Sequence, residues 1–113
     1  MKYLSFGEAI EAVKDGKLVA RVSWRYTNEF VFMRPSDELT IDFVVHNVKS
    51  LPSSVKKYFV EITNPKNKSG VLGGSKIEFK PYLCLKTFNN TIVNGWVASQ
   101  EDLLATDWKI LDY

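Results

Sequence analysis

The chain has 113 residues, 45% of them hydrophobic and 13% aromatic, enough for one domain with a single core and too few for two. Fifteen Lys and Arg against thirteen Asp and Glu give a formal charge of +2, which excludes the basic stripe of a general DNA or RNA binder but leaves an anionic small molecule open. The single cysteine, Cys84, excludes an intrachain disulfide and, inside an apolar run, fits a reducing cytoplasm.

The first residues carry no apolar stretch of the signal-peptide kind, and no apolar run approaches the roughly 20 residues that span a bilayer. A cytoplasmic protein without a membrane partner is therefore expected, and the sequons Asn67-Lys68-Ser69 and Asn89-Asn90-Thr91 are expected to carry no sugar. Ser5-Phe6-Gly7-Glu8 has the form of a capping box. Phe6, Ala9, Ile10 and Val13 then fall on one helical face, and Gly16 follows as a left-handed cap, so a helix opens the fold.

Over residues 17–24 the period changes to two, with Leu18, Ala20, Val22 and Trp24 on one face and Val19, Arg21 and Ser23 on the other. Residues 25–29 connect this strand to a second at 30–34, which Pro35 and the polar Ser36-Asp37-Glu38 terminate. The β-branched run 40–48 reads as a further short strand. Residues 52–62 place Val55, Tyr58, Phe59 and Ile62 on one side of a middle helix.

A polar, glycine-rich excursion over 64–75 follows, expected to be the least ordered part. Runs at 77–87 and 91–97 form a second hairpin about Phe88-Asn89-Asn90, whose asparagines tolerate positive φ. Ser99 then caps a short helix over 99–105, with Leu103 and Leu104 anchoring it and Trp108 covering it, before a last strand at 108–111. The fold class is α+β: an antiparallel sheet with an N-terminal helix, a middle helix and a short C-terminal helix before the last strand.

Catalytic chemistry finds little footing. Gly70-Val71-Leu72-Gly73-Gly74-Ser75-Lys76 ends in Gly-Ser-Lys where a phosphate loop requires Gly-Lys-Ser/Thr. His46, the one histidine, and Cys84 make no metal set, and no base stands near the thiol in sequence. Asp102 and Asp107 are explained by first-turn capping and turn formation. No cofactor, no metal and no catalytic residue are expected, and the protein is read as a non-enzyme.

Three features allow recognition. Trp24 shares its strand face with core residues, which makes it a core tryptophan, yet it stands at a strand end beside Arg25 and Tyr26, where indole and guanidinium can stack a base and pair with a phosphate. Ile92, Asn94 and Trp96 alternate on one face, setting an amide beside an indole, unless Asn94-Gly95 is a bulge. Ser99 and Gln100 open the last helix, whose first amides suit a ligand oxygen where the cap leaves them free.

The runs Phe6-Gly7-Glu8-Ala9-Ile10-Glu11-Ala12, Gly16-Lys17, Val19-Ala20-Arg21-Val22-Ser23-Trp24, Lys80-Pro81-Tyr82-Leu83-Cys84-Leu85-Lys86-Thr87 and Trp96-Val97-Ala98-Ser99-Gln100-Glu101-Asp102-Leu103-Leu104-Ala105-Thr106-Asp107-Trp108 resemble the Thoeris anti-defence 2 family of phage and prophage proteins. The resemblance implies a single domain over 1–113 with a divergent region at about 36–75, assembled as a homo-oligomer, dimer or tetramer, in the cytosol of a bacterial host. It implies a sponge that binds nucleotide immune signals, cyclic ADP-ribose isomers or cyclic oligonucleotides, and releases them unchanged. Trp24 matches the tryptophan of the family's Ala-Arg-x-x-Trp run. The ligand-binding set expected from residues and resemblance together is Trp24, Arg25, Asn94, Trp96, Ser99 and Gln100, gathered between protomers. Arg25-Tyr26 stands where typical members carry a small polar pair such as Asn-Gly.

Overall fold

The computed structural model describes residues 2–66 and 70–113. Along the chain run α1 (Phe6–Lys14), β1 (Leu18–Arg21), a 3-10 helix (Val22–Tyr26), β2 (Phe30–Arg34), β3 (Asp37–Thr40), α2 (Ile41–Asn47), α3 (Ser53–Ile62), β4 (Lys76–Phe79), β5 (Tyr82–Lys86), β6 (Ile92–Asn94), α4 (Gln100–Leu104) and β7 (Trp108–Leu111). The class is α+β, with the expected first helix, middle helix and short helix before the last strand. The chain divides into two compact units, one made by the segments up to Pro35 and from Pro81 onward, the other by Ser36–Lys80. The sequon Asn67-Lys68-Ser69 lies outside the described residues.

The first unit is built on an antiparallel sheet of order β6-β5-β2-β1-β7. Its helix α1 starts where the capping box predicts: the Glu8 amide donates to Ser5 Oγ at 3.2 Å and the Ser5 amide to Glu8 Oε1 at 3.0 Å. That amide, then the hydroxyl, holds the Glu8 carboxyl below its ordinary range. Gly16, at φ +88°, ends the helix in the left-handed conformation. Ala9 and Val13 bury the inner face of α1 against Val19, Val31 and Trp108, the core of this unit. Truncating Val13 there would cost on the order of 2 kcal/mol.

Residues directly opposed in an antiparallel ladder share a face of the sheet. The pairs Val19↔Val31, Val31↔Leu85 and Leu85↔Val93 therefore lie on the α1 side. Leu18↔Leu111, Ala20↔Lys109, Phe30↔Lys86 and Cys84↔Asn94 lie on the other.

Three expectations about the strands of this unit need correction. The first strand stops at Arg21, and Val22 and Trp24 belong to the 3-10 helix instead, so Trp24 leaves the alternation that put it with Leu18 and Ala20. The run 77–87 is two strands split at Lys80-Pro81 and assigned to different sheets, because Pro81 has no amide for a ladder. The run 91–97 keeps only Ile92–Asn94 as strand: Gly95, at φ +75°, and Trp96 both donate to the Leu83 carbonyl, a bulge that shifts the chain by one residue.

In the second unit β3 and β4 form a two-stranded sheet in the register Asp37↔Phe79 to Thr40↔Lys76. The polar stretch expected to end β2 thus continues into a strand. The run 40–48 is a helix, not a strand, from Ile41 on. Thr40 caps it by accepting from the Phe43 amide at 3.1 Å, Asp42 sits in the first turn, and Ile41 and Val44, three apart, are buried together. Spacing and cap prevail here over β-branching. The middle helix falls at α3 as expected. The glycine-rich loop is tied to α2, with the Ile41 and Asp42 amides donating to the Ser75 and Gly73 carbonyls. No helix among the described residues is long and apolar enough to cross a membrane.

Candidate functional site

Three tryptophans meet at one end of the first unit's sheet. Trp108 is 1% exposed, and Trp24 stands edge-on to it at 5.3 Å between ring centroids and 82° between planes. Trp96 stands edge-on to Trp24 at 6.5 Å and to Trp108 at 6.3 Å. Each such pair contributes about 1 kcal/mol beyond the area it buries. The Gly95 bulge explains the placement of Trp96: the extra residue turns it from the Asn94 side of the sheet to the core side.

An ionic clamp lies beside these rings. Arg21, the last residue of β1, donates through Nε to Asp107 Oδ1 at 3.0 Å and through Nη1 to Asp102 Oδ1 at 3.1 Å. Burial alone would lower the guanidinium pKa; the two carboxylates outweigh it and raise it further. Asp102 also accepts from the Ser99 amide at 3.2 Å while its own amide donates to Ser99 Oγ at 3.1 Å, completing a second capping box. The Trp108 indole N–H donates to the Asp102 carbonyl at 3.0 Å. These contacts, not Leu103 and Leu104, hold α4, for the two leucines are 41% and 79% exposed. Asp102 and Asp107 thus do more than cap and turn, a role hidden in sequence because their partner is Arg21.

On the sheet face away from α1 lies a cleft of about 400 Å³. Leu18, Ala20, Phe30 and Leu111 give it apolar walls, Trp24 and Arg25 stand at the β1 end, and Lys86, Lys109 and Glu29 bring charge to it. The 3-10 helix and the turn at Asn28, at φ +55°, bring the chain back into β2. The Asn28 amide donates to the Trp24 carbonyl at 3.1 Å, and its own carbonyl accepts from Lys86 Nζ at 2.9 Å. Arg25 is exposed, lies over the Tyr26 ring at 4.6 Å and donates to its hydroxyl at 2.7 Å. Thr27 Oγ1 donates to Glu29 Oε1 at 3.2 Å.

The six residues expected to bind ligand are thus divided. Trp24 and Arg25 line the cleft. Asn94 is exposed on the same sheet face, its Oδ1 accepting from Cys84 Sγ at 3.5 Å, outside the cleft. Trp96 touches Trp24 from the core side. Ser99 spends its hydroxyl on the Asp102 amide, and Gln100 is exposed at the start of α4. Lys86, Lys109, Phe30 and Glu29 escaped sequence reasoning because each reads as an ordinary strand or turn residue. For Lys86, Lys109 and Phe30 the one shared signal is position in the ladder, and Glu29 stands in the turn just before β2.

Among the described residues no group of His, Cys, Asp and Glu side chains is arranged to hold a metal ion. A family model described as the Thoeris anti-defense 2-like domain matches residues 4–111, across both units. A protein named Thoeris anti-defense 2, from Bacillus phage SP01, is 34% identical over 108 residues, covering 96% of this chain and 94% of its own length.

Proposed function

The chain belongs to the Thoeris anti-defense 2-like family, an anti-defence family, and from that premise we propose that it works by binding a nucleotide immune signal and withholding it without cleaving it. The observation that carries this reading is the cleft beside Trp24, where an indole and a phenyl ring border one hollow with Arg25, Lys86 and Lys109. A nucleotide presents flat apolar faces and negative charge, and such a lining meets both. Stacking contributes about 1 to 3 kcal/mol per base, whereas a nanomolar Kd corresponds to about 12 kcal/mol. An open cleft therefore needs further walls, and a second protomer in a dimer or tetramer would supply them, with the exposed Asn94 and Gln100 joining the site across the subunit boundary. Such a protein would act in the bacterial cytosol and needs no cofactor.

Incubation of the purified protein with a cyclic ADP-ribose isomer made by a TIR-domain enzyme should deplete the free ligand, and heating should return it intact. No depletion across a panel of cyclic nucleotides would overturn the reading, and recovery of an altered ligand would make the protein an enzyme. A second reading, a structural or protein-interaction module without a small-molecule ligand, draws on the edge-on packing of Trp24 against Trp96 and Trp108. It requires that Trp24→Ala unfold the chain, and a folded variant that loses only ligand would exclude it.

A further inference from the structure

Four strands of the first unit place one residue each in a single row across the cleft. Phe30 is paired with Lys86, and Ala20 with Lys109. One step along the ladder from Val19↔Val31, Phe30 comes opposite Ala20. The row therefore runs Lys86, Phe30, Ala20, Lys109 across β5, β2, β1 and β7, three strand spacings or roughly 14 Å. All four line the cleft.

The cations bordering the cleft are not equivalent. Lys86 Nζ donates to the Asn28 carbonyl at 2.9 Å and lies 5.7 Å from the centre of the Phe30 ring. Arg25 is folded onto Tyr26. Lys109 Nζ has no ion pair, hydrogen bond or ring partner among the described residues, though the side chain is half-buried and an alanine is its neighbour in the row. An ammonium with three unused donors, on a half-buried side chain with an apolar neighbour, is a ready partner for an anion.

We propose that Lys109 is the anion anchor of this cleft: its ammonium takes a phosphate oxygen of the ligand while the flat part of the ligand lies over Ala20 and Phe30 toward Trp24. Glu29 stands near Phe30 in sequence and repels a second phosphate at that end, so it selects hydroxyl or amine donors there. The ligand class is a phosphorylated nucleotide with its charge gathered at one end, and a bare nucleoside loses the main polar contact. The nucleotide rests on the function proposed above; the anion preference of Lys109 does not.

Two probes separate the claims: a TIR-derived cyclic ADP-ribose isomer followed by calorimetry at two salt concentrations, and inorganic pyrophosphate followed by phosphorus NMR line broadening. They are applied to the full-length wild type, Lys109→Met, Lys109→Arg and Lys14→Met, each checked for folding by circular dichroism. Lys109→Met should bind the nucleotide roughly tenfold or more weakly, with a shallower salt dependence and no pyrophosphate broadening. Lys109→Arg should retain most of both, and Lys14→Met, on α1 at the opposite side of the sheet, should retain pyrophosphate broadening. A folded Lys109→Met that matches wild type with either probe overturns the assignment while leaving sequestration standing. Pyrophosphate broadening that depends on Lys109, in a wild type that ignores every cyclic nucleotide, keeps the anchor and removes the sponge. A wild type that takes up neither probe overturns both.

Discussion

The Arg21 guanidinium donates to Asp102 Oδ1 at 3.1 Å across 81 positions of sequence, with 14% of each side chain exposed. Through Asp102 it reaches the capping box of α4, and through its own backbone it leads into the 3-10 helix that carries Trp24. One side chain thus links the start of the last helix to the segment that presents Trp24 to the cleft.

Replacing Arg21 by Met leaves a shielded Asp102 carboxylate without its cation. Because the pair is not completely withdrawn from water, the loss should be about 2 to 3 kcal/mol, below that of a fully buried pair. Urea denaturation should show it as a lower midpoint at unchanged slope. Arg21→Lys should fall between, since one ammonium cannot reproduce a fork to Asp102 and Asp107. A wild-type midpoint for Arg21→Met would show that the clamp contributes nothing.

Trp24→Phe retains an aromatic edge against Trp108 and Trp96 and should cost about 1 to 2 kcal/mol. The same change should weaken binding of a cyclic ADP-ribose isomer by roughly tenfold, as a smaller ring stacks less surface. Calorimetry beside thermal melting measures both effects on one sample. A large drop in melting temperature with unchanged ligand affinity would place Trp24 in the scaffold alone.

Ser99→Ala removes the acceptor for the Asp102 amide and should destabilise the fold by about 1 kcal/mol. Ligand affinity should change little, because the hydroxyl is committed to the cap. Affinity lost well beyond the stability effect would return Ser99 to the binding set.

The Glu8 carboxyl is held below its ordinary value of 4.5, mainly by the hydrogen bond from the Ser5 amide. A folded-state pKa below the unfolded one gives stability that is fully present above about pH 4.5 and is lost as the pH falls through the lower folded value. Thermal melting between pH 7 and pH 3 should therefore decline more steeply for wild type than for Glu8→Gln. Parallel curves for the two proteins would remove Glu8 from the acid response.

Gly95→Ala forces a side chain into φ +75° at the bulge and should cost about 1 kcal/mol from backbone strain. Because that bulge turns Trp96 inward, the variant should also change the tryptophan emission spectrum. An unchanged spectrum and melting temperature would show that the backbone accommodates the methyl group.

What the sequence determined by itself is the set of features whose partners lie within a few residues. The capping boxes Ser5/Glu8 and Ser99/Asp102, the left-handed Gly16 and the turn at Asn90 are satisfied locally, so spacing alone reveals them. Its hydrophobic periods also located α1 and α3. Over residues 40–48, β-branching pointed to a strand, and the Thr40 cap with the burial of Ile41 and Val44, three residues apart, made a helix instead. Only the tertiary structure decided which residues share a face and which carboxylates face Arg21, because a one-residue bulge at Gly95 or an early end to β1 reverses alternation without any local sign. The row Lys86, Phe30, Ala20, Lys109 gathers from four strands spread over most of the chain. Such a neighbourhood is set by ladder register, a property of the assembled sheet that no single segment contains.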